Sequence, residues 1–74
     1  MESELFSFLS KVSNGWGVEV PSEGEIDAIL KVASVTAHAS ERKMAPVVCW
    51  LSARAGMTPE EALSSLNEIL SDDK

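Results

Sequence analysis

Apolar residues recur at helical spacing in four stretches of the chain, separated by polar or glycine-bearing breaks. In the first, Leu5, Phe8, Leu9 and Val12 fall three and four residues apart, the interval that puts side chains on one face of an α-helix. The spacing predicts a helix over about 3–13, with Phe6 on its flank. Asn14-Gly15-Trp16-Gly17 ends it, because glycine takes the left-handed conformation that follows many helix ends at little cost. Val18-Glu19-Val20-Pro21 alternates as a strand would but finds no pairing partner, so it reads as an extended connection.

A second helix is expected over about 23–40. Ser22 opens it as N-cap, and Glu25 three residues on completes a capping box. Ile26, Ile29, Leu30, Ala33 and Ala37 form the expected core stripe. Val32 and Val35 fall elsewhere on the wheel, as in a helix covered from two sides. Ser40-Glu41-Arg42-Lys43 interrupts the pattern. Pro46 is tolerated only in a first turn, which places a third helix over about 44–55. From Val47 to Ala55 it is apolar nearly all round, so a central position is expected. Gly56 stops it. Thr58-Pro59-Glu60-Glu61 combines an N-cap, a proline at the first helical position and a second capping box. Ala62, Leu63, Leu66, Ile69 and Leu70 then give a fourth, amphipathic helix over about 59–70, with residues 71–74 expected to fray. The predicted architecture is an all-α, compact four-helix bundle, a single domain over 1–74, with the outer helices packed on a more apolar inner pair.

Length and charge narrow the functions available. A chain of 74 residues buries only about 60% of the surface its unfolded form exposes. That leaves little room for an enclosed pocket, which typically needs roughly 300–1,000 Å³. Twelve acidic and six basic residues give a net charge of −6. The only adjacent basic pair is Arg42-Lys43, too little to track a phosphate backbone, so neither nucleic acid nor an anionic membrane is an expected partner. The acidity suits solubility, or attraction to a basic patch on another protein. The third helix, Gly56-Met57-Thr58 and the fourth have the outline of a helix-turn-helix. Glu60 and Glu61, however, stand where a recognition helix needs donors, and they would repel phosphate. The longest apolar run is too short to cross a bilayer, and Met1-Glu2-Ser3-Glu4 is acidic where a secretory leader is basic. With a single cysteine, these features lead us to expect a reducing, cytoplasmic location.

Residues with reactive chemistry are few. His38 is the only imidazole. With Cys49 it makes too small a ligand set for zinc, so no metal or cofactor is expected. One turn beyond His38 come Glu41 and Arg42, and the three share one helix end. There they can cap the helix and tie down the next loop. Cys49 sits among Val48, Trp50 and Leu51 and is expected in the core, with Trp50 as an anchor. Trp16, between two glycines, is expected to fold back over the end of the first helix. The alternative is an exposed binding anchor.

The stretch Ala37-His38-Ala39-Ser40-Glu41-Arg42-Lys43-Met44-Ala45-Pro46 resembles the signature of a small actinobacterial helical family of unknown function. That signature is Ala-His, two residues, Glu-Arg, two residues, Ala-Pro, then an apolar helix. The broader resemblance covers about the whole chain: a Trp- or Leu-bearing first helix, a Leu/Val/Ala helix before the histidine, and a glycine turn leading to a last amphipathic helix. Members occur alone or as a C-terminal appendage on nucleotidyltransferases of the molybdenum cofactor guanylyltransferase type. The resemblance therefore implies a setting in molybdopterin cofactor assembly and an accessory role, docking onto or regulating the transferase. It points to His38, Glu41, Arg42 and Pro46. The family often has Arg-Pro where Arg42-Lys43 stands, and usually glycine where Ala39 stands.

Together these readings predict a non-enzymatic accessory or protein-interaction domain. Its expected contact is the corner between the second and third helices, at His38, Glu41 and Arg42, with Val32 or Val35 exposed beside it. An alternative is a small-anion or nucleotide-binding module built from Arg42, Lys43 and the N-terminus of the third helix. A third reading is a homodimer with the third helix buried between chains.

Overall fold

The computed structural model describes residues 3–72. Met1 and Glu2 of the acidic start, and Asp73 and Lys74 of the tail, lie outside them. Helices α1 (Ser3–Gly15), α2 (Glu23–Ala39), α3 (Met44–Arg54) and α4 (Pro59–Asp72) form an all-α four-helix bundle measuring 41 × 23 × 20 Å. Every boundary lies within two residues of its expected place. Two ends run two residues on: α1 continues to Gly15, and α4 continues through Ser71 to Asp72 instead of fraying there.

The boundaries are set by local hydrogen bonds. At the start of α2 the Glu25 N–H donates to Ser22 Oγ at 3.1 Å, and the Ser22 N–H donates to Glu25 Oε1 at 2.8 Å. The start of α4 repeats the device, with Glu61 N–H to Thr58 Oγ1 at 3.1 Å and Thr58 N–H to Glu61 Oε1 at 2.9 Å. Each box satisfies donors that a helix start leaves without partners. Helices α1 and α3 both end in a Schellman turn. In the first, Val18 N–H reaches Ser13 O at 3.0 Å and Gly17 N–H reaches Asn14 O at 3.2 Å. In the second, Met57 N–H reaches Ser52 O at 3.2 Å and Gly56 N–H reaches Ala53 O at 3.0 Å. Gly17 and Gly56 have φ of 69° and 77°, values that side chains with a Cβ strongly disfavour.

Packing centres on α2, against which both α3 and α4 lie. Its buried residues are Ala28, Val32 and Thr36, one per turn, and Ala62 of α4 is buried with them. Val32 is 1% exposed. This corrects the expected phase of α2, which is rotated by roughly a third of a turn at 100° per residue. Leu30, expected in the core, faces outward at 62% exposure. Apolar residues surround α2, so hydrophobicity alone does not choose its buried face. Small side chains do, because Ala28 and Ala62 let helices approach closely around Val32.

Two further expectations fail. No residue of α3 is buried, and Trp50, the expected anchor, is 60% exposed. Trp16 is 79% exposed and does not fold back over α1.

Candidate interaction surface

The corner between α2 and α3 is built by residues 40–43. Ser40 N–H still bonds Thr36 O at 2.9 Å, and the chain then turns with φ of −138° and ψ of −107° at Ser40. Among the described residues none other than glycine has a positive φ, so the turn forms without the glycine the resembled family usually carries at position 39. His38, Glu41 and Arg42 are all exposed and line a shallow, open concavity with Ala37 and Ser40. His38 Nδ1–H donates to Ser34 O at 2.8 Å, fixing the ring along its own helix and leaving Nε2 outward. Glu41 pairs with Lys43 at 3.7 Å, across solvent. Arg42 makes no ion pair or side-chain hydrogen bond among the described residues.

Of the five expected contact residues, the structure thus brings His38, Glu41 and Arg42 together at the surface. Val35 is half-buried on α2. Val32 is a correction: it is the most enclosed side chain of the core and has no surface to offer a partner.

The start of α3 has little to hold an anion. Met44 N–H bonds Glu41 O at 2.9 Å, Ala45 N–H bonds Arg42 O at 3.1 Å, and Pro46 has no N–H. Lys43, its N-cap residue, gives no side-chain cap. Among the described residues no group of three His, Cys, Asp or Glu side chains is placed for a metal ion. Cys49 is half-buried, and desolvation pushes its thiol above the ordinary value, opposite to what a nucleophile needs.

The feature that sequence reasoning missed is the apolar surface. On the outer side of α3, Val47, Trp50 and Leu51 are all exposed, followed one turn on by Arg54. The Arg54 guanidinium carbon stands 4.9 Å from the Trp50 ring centroid, a cation–π contact one turn along the helix. The signal lay in the spacing: 47, 50, 51 and 54 are i, i+3, i+4 and i+7. Between α3 and α4 an apolar groove of about 230 Å³ has Val32 at its floor and Leu51 and Ile69 on its walls. A second groove, about 360 Å³, lies between α1 and the first half of α2, lined by Leu5, Phe8, Leu9, Pro21, Ile26 and Leu30, among others.

No described helix is long and apolar enough to cross a membrane. Compared with protein-family models, curated proteins and solved structures, the chain matches none.

Proposed function

We propose that this chain is a non-enzymatic protein-interaction domain, accessory to another protein. The observation that carries the reading is surface area. The chain exposes 5714 Å², against about 4,450 Å² for a folded monomer of 8.0 kDa. Large apolar side chains lie exposed, Leu5, Phe8 and Leu30 on one side and Val47, Trp50, Leu51 and Ile69 on the other. Large side chains left in water are the usual mark of a contact surface. The polar corner at His38, Glu41 and Arg42 adds a charged rim, with an arginine whose donors are free for a carboxylate. On the resemblance, the partner is a molybdenum cofactor nucleotidyltransferase.

Titration calorimetry of the full chain into such a transferase tests this. The expected result is saturable binding that Arg42→Ala weakens several-fold. Absence of heat at about millimolar concentration would remove the transferase as partner. An affinity capture from cell extract that recovers no protein with wild type would remove the accessory reading itself.

The small-anion reading is weaker, because the first donors of α3 are already bonded.

A further inference from the structure

Helix α3 is apolar on two sides, and only one of them is covered. Met44, Ala45, Val48, Cys49 and Ser52 are half-buried and form the inner side, where Cys49 and Ser52 stand beside Ile29 and Val32 of α2. Val47, Trp50 and Leu51 are exposed on the opposite side. At 100° per residue, Lys43, Val47, Trp50 and Arg54 fall within about 60° of one another, with Leu51 on the flank. Charge therefore belongs to this outer stripe itself, with a cation at each end and the apolar side chains between them. Residues 42–59 hold three of the chain's six basic residues and none of its twelve acidic ones.

From this we infer that the outer stripe of α3 docks an acidic amphipathic helix of another protein. The inference rests on the interaction-domain reading above, but neither on the transferase as partner nor on the corner at His38. Val47, Trp50 and Leu51 call for an apolar counterpart, and the cations at both ends set the sign of its flanking charges. Arg54 makes no ion pair among the described residues. A guanidinium held over an indole keeps its N–H donors free for a two-pronged carboxylate contact. Lys43 pairs with Glu41 at 3.7 Å, but both side chains stand in water, and an incoming carboxylate can replace so weak a partner. Lys43 and Arg54 lie roughly 16 Å apart along the helix axis. A helix laid along α3 meets both when its own carboxylates have that separation, with apolar residues between them.

A larger polyanion fits less well. Nucleic acid or an anionic bilayer would extend past the stripe and meet the glutamates of α4, in a chain of net charge −6. A short helix confined to the stripe meets its two cations, and charges more than about 8 Å away are largely screened at physiological salt.

The probe is a synthetic helical peptide with leucines at helical spacing between two glutamates, set as far apart as Lys43 and Arg54. A second peptide carries glutamine in place of glutamate, and a third carries lysine. Amide shifts of the full chain are followed as each is added to about 1 mM, well above the affinity of a weak but specific helix contact. The glutamate peptide is expected to move amides of residues 43–54 and to saturate. The glutamine peptide should bind several-fold more weakly, and the lysine peptide should leave these amides in place. Trp50→Ala is expected to weaken the glutamate peptide at least tenfold and Arg54→Gln a few-fold. Trp16→Ala, which removes the other exposed indole, should change nothing. Circular dichroism confirms that each variant is helical. No shift in α3, equal binding of the lysine peptide, or shifts centred on Phe8 and Leu30 would overturn the inference. So would shifts of the same amides on dilution without peptide, which would give the stripe to a second copy. Binding to anionic lipid vesicles that Trp50→Ala abolishes would give it to a membrane and overturn the inference too. A protein partner that wild type and Trp50→Ala capture equally would exclude this stripe and leave the interaction-domain reading standing.

Discussion

The hydroxyl of Thr36 donates to the carbonyl of Val32 one turn back, at 2.8 Å, inside the contact between α2 and its neighbours. The bond lets a polar residue occupy a core position without an unsatisfied group, and both residues are buried. It marks the true inner face of α2.

The two residues respond differently to substitution. Val32→Ala removes two methyl-sized groups from an enclosed site and should cost about 2 kcal/mol or more, counting roughly 0.8 per group plus the cavity. Thr36→Val keeps the shape, and the Val32 carbonyl keeps its helical N–H partner, so the change should stay within about 1 kcal/mol. Urea unfolding monitored by circular dichroism compares the two. A larger loss for Thr36→Val than for Val32→Ala would show that the α2 phase is misassigned.

The capping boxes should each be worth about 1 kcal/mol. In a domain this small that lowers the unfolding temperature by about 4–8 °C. Ser22→Ala and Thr58→Ala are expected to behave alike, and the double variant should be additive, since the two boxes share no residue. Calorimetric melts give the answer.

Two nearby glycines should shift stability in opposite directions. Gly17 is held at φ 69°, so Gly17→Ala should destabilise by about 1–2 kcal/mol. Gly15 is helical, with no neighbour within 4 Å of an added Cβ, and Gly15→Ala should stabilise by about 0.5–1 kcal/mol. Thermal melts of the two variants, one above and one below wild type, are the expected result.

Burial raises the Cys49 thiol above its ordinary value, so alkylation by iodoacetamide at pH 8 should be slower than for a free thiol. The same shift has a sign in stability. The folded chain holds the thiol proton more tightly than the unfolded chain does. Its contribution is therefore full below the unfolded value of about 8.5 and is lost as pH rises through the folded one. Above pH 8.5 the melting temperature of wild type should fall more steeply than that of Cys49→Ala. Parallel curves would place the thiol in water.

The helices were legible because their signals are local. Ser22 with Glu25, Thr58 with Pro59 and Glu61, and glycines at 17 and 56 each act within five residues. The rotation of α2 was not legible, because apolar residues occur on all its sides and the choice among them depends on where Ala62 approaches. The exposure of Trp50 followed the same limit. An all-round apolar α3 suggested a central helix, yet a chain with three other helices cannot cover it on every side. Arg54, one turn beyond Leu51, was the local clue that this stripe ends in water. The exposure of His38, Glu41 and Arg42 was legible because polarity and a helix end suffice to bring side chains to the surface.

Because α3 and α4 both lean on α2 while α1 joins it through the extended segment 18–22, the molecule holds two levels of protection against solvent exchange. Amides of α2 around Val32 should exchange only when the whole chain opens. Those of α1 should exchange through a cheaper, local opening that leaves the other three helices in place. On this expectation the first helix, which borders the Ile26–Leu30 side of α2 across an open groove, is the part of the chain whose stability can change while the contacts around Val32 stay in place.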